Sequence, residues 1–236
     1  MIISYMDYQI FDDRVEAAEK LADAVKKYLK GIGISQDTET VKSIIILAIP
    51  RGGVVTGDVI ASKLGCTMDI IVSRKIGAED NPELAIGALL PDGTYFINEN
   101  VANMLNISQE YVDKQVDIQK KEIERRLIEF RGDKEYGNKL EGKIIVLVDD
   151  GIATGSTILA AARWIREKQN CKMLIVAVPV APASSDVIST LNQISDKVIV
   201  LQLPLEFYAV GQFYRNFEQV EDIHVKEIMK KYITQI

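Results

Sequence analysis

"KIIVLVDDGIATGST", residues 143 to 157, decides how this chain is read. Its first half, Lys143 to Asp149, is an apolar run of strand length with no polar alternation, the habit of a strand covered on both faces. Its second half is a Gly/Ala/Thr/Ser loop that runs into a helical pattern beginning near Ser156. Gly151, Thr154, Gly155, Ser156 and Thr157 bring together backbone freedom, hydroxyl donors and the unpaired N–H groups of a helix start, which make an anion cradle. Asp149 and Asp150 stand between strand and loop, and two carboxylates repel a bare anion. A ligand that carries hydroxyls as well as phosphate removes the conflict, because ionised carboxylates accept strongly from hydroxyl groups. A ribose laid across Asp149 and Asp150 places its 5′-phosphate in the loop, and a divalent cation would offset the local charge. Helix capping in a solvated turn is the plainer alternative. The chain lacks both GxxxxGK[ST] and GxGxxG, so neither a Walker loop nor a dinucleotide fingerprint is present.

Apolar runs of the same kind recur at residues 43–50, 68–74, 173–180 and 197–203, with amphipathic helical patterns over 13–30, 54–64, 155–168 and 183–193. Their alternation predicts an α/β fold, a central mainly parallel sheet flanked by helices. Two segments break the rhythm. Residues 76–98 carry Gly77, Asn81, Pro82, Gly87, Pro91 and Gly93, which predicts a flexible loop followed by a short hairpin. Residues 108–131 read as a long charged helix with Val112, Val116, Ile123 and Leu127 on its apolar side and a solvated basic face.

Length and composition set the bounds. The chain has 236 residues, 47% of them hydrophobic, which is enough for one sizeable domain. A net charge of −6 argues against nucleic acid as a partner. No segment approaches the roughly 18 consecutive apolar residues of a membrane span, and the first residues lack a basic region followed by an apolar run, so a cytoplasmic protein is expected. Cys66 and Cys171 match no zinc spacing and are expected to be inert thiols in a reducing compartment. The single histidine, His224, leaves Ser/His/Asp chemistry and histidine-rich metal sites unsupported, and reads as a structural or surface residue of a terminal helix.

Two further strand ends carry chemistry. In "AIPRGGVVTGD", residues 48–58, Pro50 ends a strand, Gly52 and Gly53 free the backbone, and Arg51 offers a planar donor suited to phosphate. Arg74 and Lys75 close the run at 68–74 as either edge charges or donors to a second anion. Ligands of open parallel sheets collect beyond the carboxyl ends of the strands. One site for ribose phosphate and two for further anionic charge fit phosphoribosyl pyrophosphate.

"VLVDDGIATGST" resembles the binding motif of the type I phosphoribosyltransferases, a hydrophobic strand, two acids and a Thr/Gly/Ser loop. "PRGG" resembles their pyrophosphate loop, and "RKIG" their basic strand end and hood loop, so the resemblance covers about residues 40–204. A subgroup with "LPRGG", "RKxGxPxNPExAxGA" and a late "FxAVGxxY" is the most similar. The resemblance implies one domain over residues 1–236, with an N-terminal helix and a C-terminal hood-like extension packed on the core. It implies that Asp149 and Asp150 hold the ribose hydroxyls and, indirectly, Mg2+. Ala153, Thr154, Gly155, Ser156 and Thr157 would bind the 5′-phosphate, and Arg51, Gly52, Gly53 and Arg74 the pyrophosphate. Asp149, Asp150, Arg74 and Lys75 would be the catalytic groups. The implied reaction is displacement of pyrophosphate by a base nitrogen in nucleobase salvage, by a homodimer. Phe207 or Tyr208 would stack on the base and Arg215 approach pyrophosphate, after the pattern of the 6-oxopurine enzymes. "APASS" stands where those enzymes place a base-reading lysine, so the base is unnamed. Glu79, Asp80 and Glu83 offer themselves as proton acceptors. A regulator that senses the same ligand, and a ribose-phosphate hydrolase or phosphorylase on the same frame, remain the alternatives.

Overall fold

The computed structural model describes residues 10–35, 37–82, 84–137, 139–184 and 186–233. Helices α1 (Arg14–Gly31) and α2 (Thr38–Lys42) precede strand β1 (Ile44–Ala48), helix α3 (Gly52–Leu64) and strand β2 (Thr67–Ile70). Strands β3 (Arg74–Gly77), β4 (Ala85–Leu89) and β5 (Tyr95–Ile97) follow, then helices α4 (Glu99–Met104) and α5 (Gln109–Arg131). The chain continues through β6 (Ile144–Val148), α6 (Ser156–Lys168), β7 (Met173–Val180), α7 (Asp186–Ile194) and β8 (Lys197–Gln202). A 3-10 turn at Val210–Phe213 and helix α8 (Asp222–Met229) complete it.

Five strands form a wholly parallel sheet in the order β2-β1-β6-β7-β8. Every residue of β1 and β6 is buried, as the unbroken apolar runs predict. The edge strand β8 is partly exposed along its length, so cover on both faces fails at that edge, whereas β2 at the other edge is largely buried. From β1 the chain moves outward to β2 and returns to β6 on the other side. Right-handed crossovers therefore send α3 and α6 to opposite faces. The order reverses between β1 and β6, and a crevice opens there at the carboxyl ends. The register is level: Ile44 faces Ile144, Ala48 faces Val148, and the Ile49 N–H donates to the Val148 carbonyl at 3.0 Å. The turns that begin at Pro50 and Asp149 thus leave the sheet side by side.

The run at 68–74 is not one strand. β2 ends at Ile70, and Arg74 opens β3 of a separate antiparallel sheet, β3-β4-β5. Ile71 and Val72 are buried as fully as the strand before them, so hydrophobicity carries no mark of the change of sheet. The expected hairpin is β4-β5, and β3 joins it as a third strand. The helix expected over 54–64 starts at Gly52, which puts both glycines in the first turn of α3.

Helix α5 matches its expected span because its ends are signalled locally. The Ser108 side chain accepts from the Tyr111 N–H, and Gly132 supplies the left-handed C-cap. Its basic face is not wholly solvated. Arg131 is buried and pairs with buried Asp69 of β2 at 2.8 Å, while the Tyr136 hydroxyl donates to the Ile70 carbonyl at 2.8 Å. Phe11 pairs with Tyr214, joining the segment before α1 to the C-terminal extension, and α1 packs on α3, β7 and β8. Cys66 is buried, and burial pushes its thiol up to about 12, whereas Cys171 is only half-buried. His224 is exposed on α8, as a surface residue of a terminal helix.

Candidate active site

Strand β6 ends in Val148, and Asp149 follows with its carboxylate turned back on its own chain, where Oδ1 accepts the Asp150 N–H at 2.8 Å. Burial, reinforced by the charge of Asp150, holds the Asp149 carboxyl well above the ordinary carboxylate range. Asp150 is half-buried and accepts at Oδ2 from Arg14 Nε at 2.7 Å. The Tyr214 hydroxyl donates to the Asp150 carbonyl at 2.5 Å, so the C-terminal extension anchors the backbone of the acid pair.

The neighbouring turn packs directly on these acids. A Cβ at Gly52 would lie 1.8 Å from Asp150 Oδ2, and one at Gly53 would lie 3.0 Å from the Asp149 Cα and Oδ1. Glycine is required by this approach of two strand ends, since neither position has positive φ. The structure thus places Gly52 and Gly53 against the acid pair. Arg51, at the N-cap of α3, pairs with Asp222 of α8 at 3.3 Å.

On the other side of the acids the loop from Gly151 leads to α6. Gly155 takes φ of 78° as its N-cap, and no side chain caps the helix. The first N–H groups of α6 therefore have no partner within the helix and form the positive end of its dipole. Asp149, Gly151 to Ile158 and Val210 line a cavity of about 180 Å³. All five residues expected to hold the 5′-phosphate are in its wall. Thr154 Oγ1 and Ser156 Oγ lie 3.4 Å apart at its rim. The cavity has the donors for one tetrahedral oxyanion, and the acids beside it have the acceptors for hydroxyls.

Other expected residues are placed elsewhere. Arg74 Nε donates to Gln119 of α5 at 3.0 Å, and neither Arg74 nor Lys75 lines the cavity. Burial, with Arg126 and Arg125 nearby, lowers the pKa of the Arg74 guanidinium. Phe207 packs on Phe213 at 5.2 Å between ring centroids, whereas Tyr208 is 87% exposed. Arg215 pairs with Asp12 at 2.8 Å on the surface. Glu79 and Asp80 lie in the bend between β3 and β4, and Glu83 falls outside the described residues.

The donor set bears on magnesium in two ways. Among the described residues no group of three or more His, Cys, Asp or Glu converges to hold a metal ion. Two adjacent, partly buried carboxylates, one of them with a raised pKa, suit a hard cation that draws its remaining oxygens from ligand and water. Residues to which the sequence assigned no part in the site also border it: Arg14, Val210, Tyr214 and Asp222. A signal existed for Arg14, because a cation in the first turn of a helix opposes the dipole and calls for a compensating partner. The other three come from an extension whose course the sequence does not disclose.

Comparison with known proteins agrees with this geometry. The model of the phosphoribosyl transferase domain matches residues 12–207. A Mycobacterium tuberculosis protein provisionally named phosphoribosyl transferase, Rv0571c in strain H37Rv and MT0597 in strain CDC 1551, is 36% identical over 217 residues. That match takes in 92% of this chain and 46% of the relative, so the chain spans about half the length of the curated relatives it matches. The crystal structure of TT1426 from Thermus thermophilus superposes with a TM-score of 0.74 at 31% identity, covering 94% of this chain and 99% of that one. No helix among the described residues is long and apolar enough to cross a membrane.

Proposed function

Since this chain belongs to the phosphoribosyl transferase domain family, we propose that it transfers the 5-phosphoribosyl group from phosphoribosyl pyrophosphate to a nucleobase or related nitrogen heterocycle, releasing pyrophosphate. The observation that carries the reading is the contact of Gly52 and Gly53 with Asp150 and Asp149 beside the uncapped start of α6. It joins an acceptor pair for ribose hydroxyls, a cradle for one phosphate and a basic turn for a second anion within one crevice.

In this reading Ala153 to Thr157 bind the 5′-phosphate through N–H and hydroxyl groups. Asp149 and Asp150 accept from the two ribose hydroxyls and orient the anomeric carbon for in-line attack. Arg51 exchanges Asp222 for the pyrophosphate, and the N–H groups of Gly52 and Gly53 at the start of α3 face the same anion. Arg74 and Lys75 approach when the β3–β4 segment closes and help exclude water that would hydrolyse the donor. Asp149 and Asp150 are also the residues that would hold magnesium, through water or ribose oxygens; bound with the substrate, it would supply positive charge for the leaving group. Tyr208, with its ring exposed, is offered for stacking on the base, while Phe207 is engaged by Phe213. Two unpaired cysteines suit a reducing cytoplasm. A homodimer acting in salvage, with residues 40–204, α1 and the C-terminal extension as one domain, completes the proposal.

A panel of purine, pyrimidine and other heterocyclic bases, incubated with phosphoribosyl pyrophosphate and magnesium, tests it through pyrophosphate release. Turnover with at least one base is expected. Tight donor binding with no turnover across the panel would refute the enzyme and support the ligand-sensing regulator.

A further inference from the structure

Arg14, far from the strand ends in the sequence, ties the N-terminal helix to the acid pair through a side-chain contact with Asp150. It is the first residue of α1, and Asp13 before it caps the helix by accepting from the N–H groups of Val15 and Glu16. The cap fixes the direction in which Arg14 leaves the helix. The guanidinium lies over the Phe217 ring, 3.7 Å from its centroid, and Nη1 donates to the Glu218 carbonyl at 2.8 Å. Nε donates to Asp150 Oδ2 at 2.7 Å. Its side chain is 12% exposed, so the contact is no loose surface pair. Stacking and a bond to a backbone carbonyl hold the fork in place before it meets the carboxylate.

Two consequences follow. With Oδ2 committed to Arg14, Asp150 presents Oδ1 as its remaining acceptor, and Asp149, whose Oδ1 takes the Asp150 N–H, presents Oδ2. One oxygen from each acid is thereby assigned to the ligand. Arg14 Nε is also 3.1 Å from the point a Cβ would occupy on Gly52, so the guanidinium borders the basic turn. Its Nη2 has no hydrogen-bond partner among the described residues.

We propose that Arg14 is a positioning residue of the phosphoribosyl site: it orients the Asp150 carboxylate for a ribose hydroxyl, and its unused N–H edge faces the pyrophosphate group at the Gly52 turn. The proposal rests on the functional reading above. It assigns to the N-terminal helix a part in ligand binding.

The test uses the full chain and isothermal titration calorimetry with phosphoribosyl pyrophosphate in magnesium, with ribose 5-phosphate as the ligand that lacks the leaving group. Arg14→Gln is expected to weaken phosphoribosyl pyrophosphate roughly 10- to 100-fold, from the loss of one to two charge-assisted hydrogen bonds. Ribose 5-phosphate, which meets only the Asp150 effect, should weaken less. Arg14→Lys keeps the charge without the stacked fork and should recover only part of the affinity. Phe217→Leu, which leaves the cation but frees its plane, should weaken both ligands, phosphoribosyl pyrophosphate the more. Urea unfolding separates this from a merely structural role, which would lower stability and leave the affinity of the folded protein unchanged. Unchanged or tighter binding by folded Arg14→Gln overturns the proposal while leaving the functional reading intact. Failure of the unsubstituted protein to bind phosphoribosyl pyrophosphate overturns both.

Discussion

Gly52→Ala puts the sharpest question to the site. The added Cβ would stand 1.8 Å from Asp150 Oδ2 and 2.5 Å from its Cγ. Non-bonded heavy atoms sit at roughly 3.5 Å, so the carboxylate must withdraw by about 1.7 Å. It cannot do so and keep its 2.7 Å bond to Arg14 Nε. Loss of a charge-assisted hydrogen bond costs about 1.5–3 kcal/mol, and overpacking adds about 1–3 kcal/mol. Alanine is the better helix former and returns about 0.5–1 kcal/mol. A net loss of about 1.5–5.5 kcal/mol is expected, which in a chain of this size lowers the melting temperature by about 3–20 °C. In the proposed ribose site the displaced carboxylate would also miss its hydroxyl, so affinity for phosphoribosyl pyrophosphate should fall roughly 10- to 100-fold. Thermal unfolding and calorimetry measure the two effects. Gly31→Ala is the control: its Cβ would meet no atom within 4 Å, and stability should change by no more than about 1 kcal/mol with affinity untouched. Wild-type stability and affinity in Gly52→Ala would refute the close approach of the two turns.

Two other perturbations address the frame around the site. Asp69→Asn leaves Arg131 buried without its counter-charge, and urea unfolding should show a loss of about 3–5 kcal/mol, most of it recovered when Asp69→Leu is combined with Arg131→Met. A single-variant loss under about 1 kcal/mol would contradict the buried pair. At Asp196, burial acts to raise the pKa but is outweighed by the Leu174 N–H and the Arg166 guanidinium, so the net shift is downward from 3.8. Its stabilisation is therefore complete above that pH and is lost as the pH falls through the lower folded value. The stability difference between the unsubstituted protein and Asp196→Asn should narrow over that acid range, and a gap independent of pH would count against the assignment.

The segment at 143–157 was legible because its parts are local: an apolar strand, two acids, and a Gly/Thr/Ser loop entering a helix, all contiguous along the chain. For the same reason α5 was legible over 108–131 from its apolar spacing, and the structure ends it at local caps, Ser108 and Gly132. The run at 68–74 was not, because Ile71 and Val72 are equally apolar whether they extend β2 or cross to the second sheet. The assignment of Arg131 to a solvated face failed because one arginine in a charged helix carries no sign of a buried aspartate 62 positions away.

By itself the sequence determined the chemistry available at the strand ends: Asp149 and Asp150 before an anion cradle, and Arg51 before two glycines. Only the tertiary structure decided which charges meet. The level pairing of β1 with β6 brings Gly52 to Asp150. The return of the chain ends brings Arg14 to Asp150 across 136 positions and Asp222 to Arg51 across 171. Such contacts depend on the path of the backbone between the partners. Composition and spacing report what a residue can bind; the hydrogen-bonded register of the sheet and the packing of α1 and α8 determine what lies within reach.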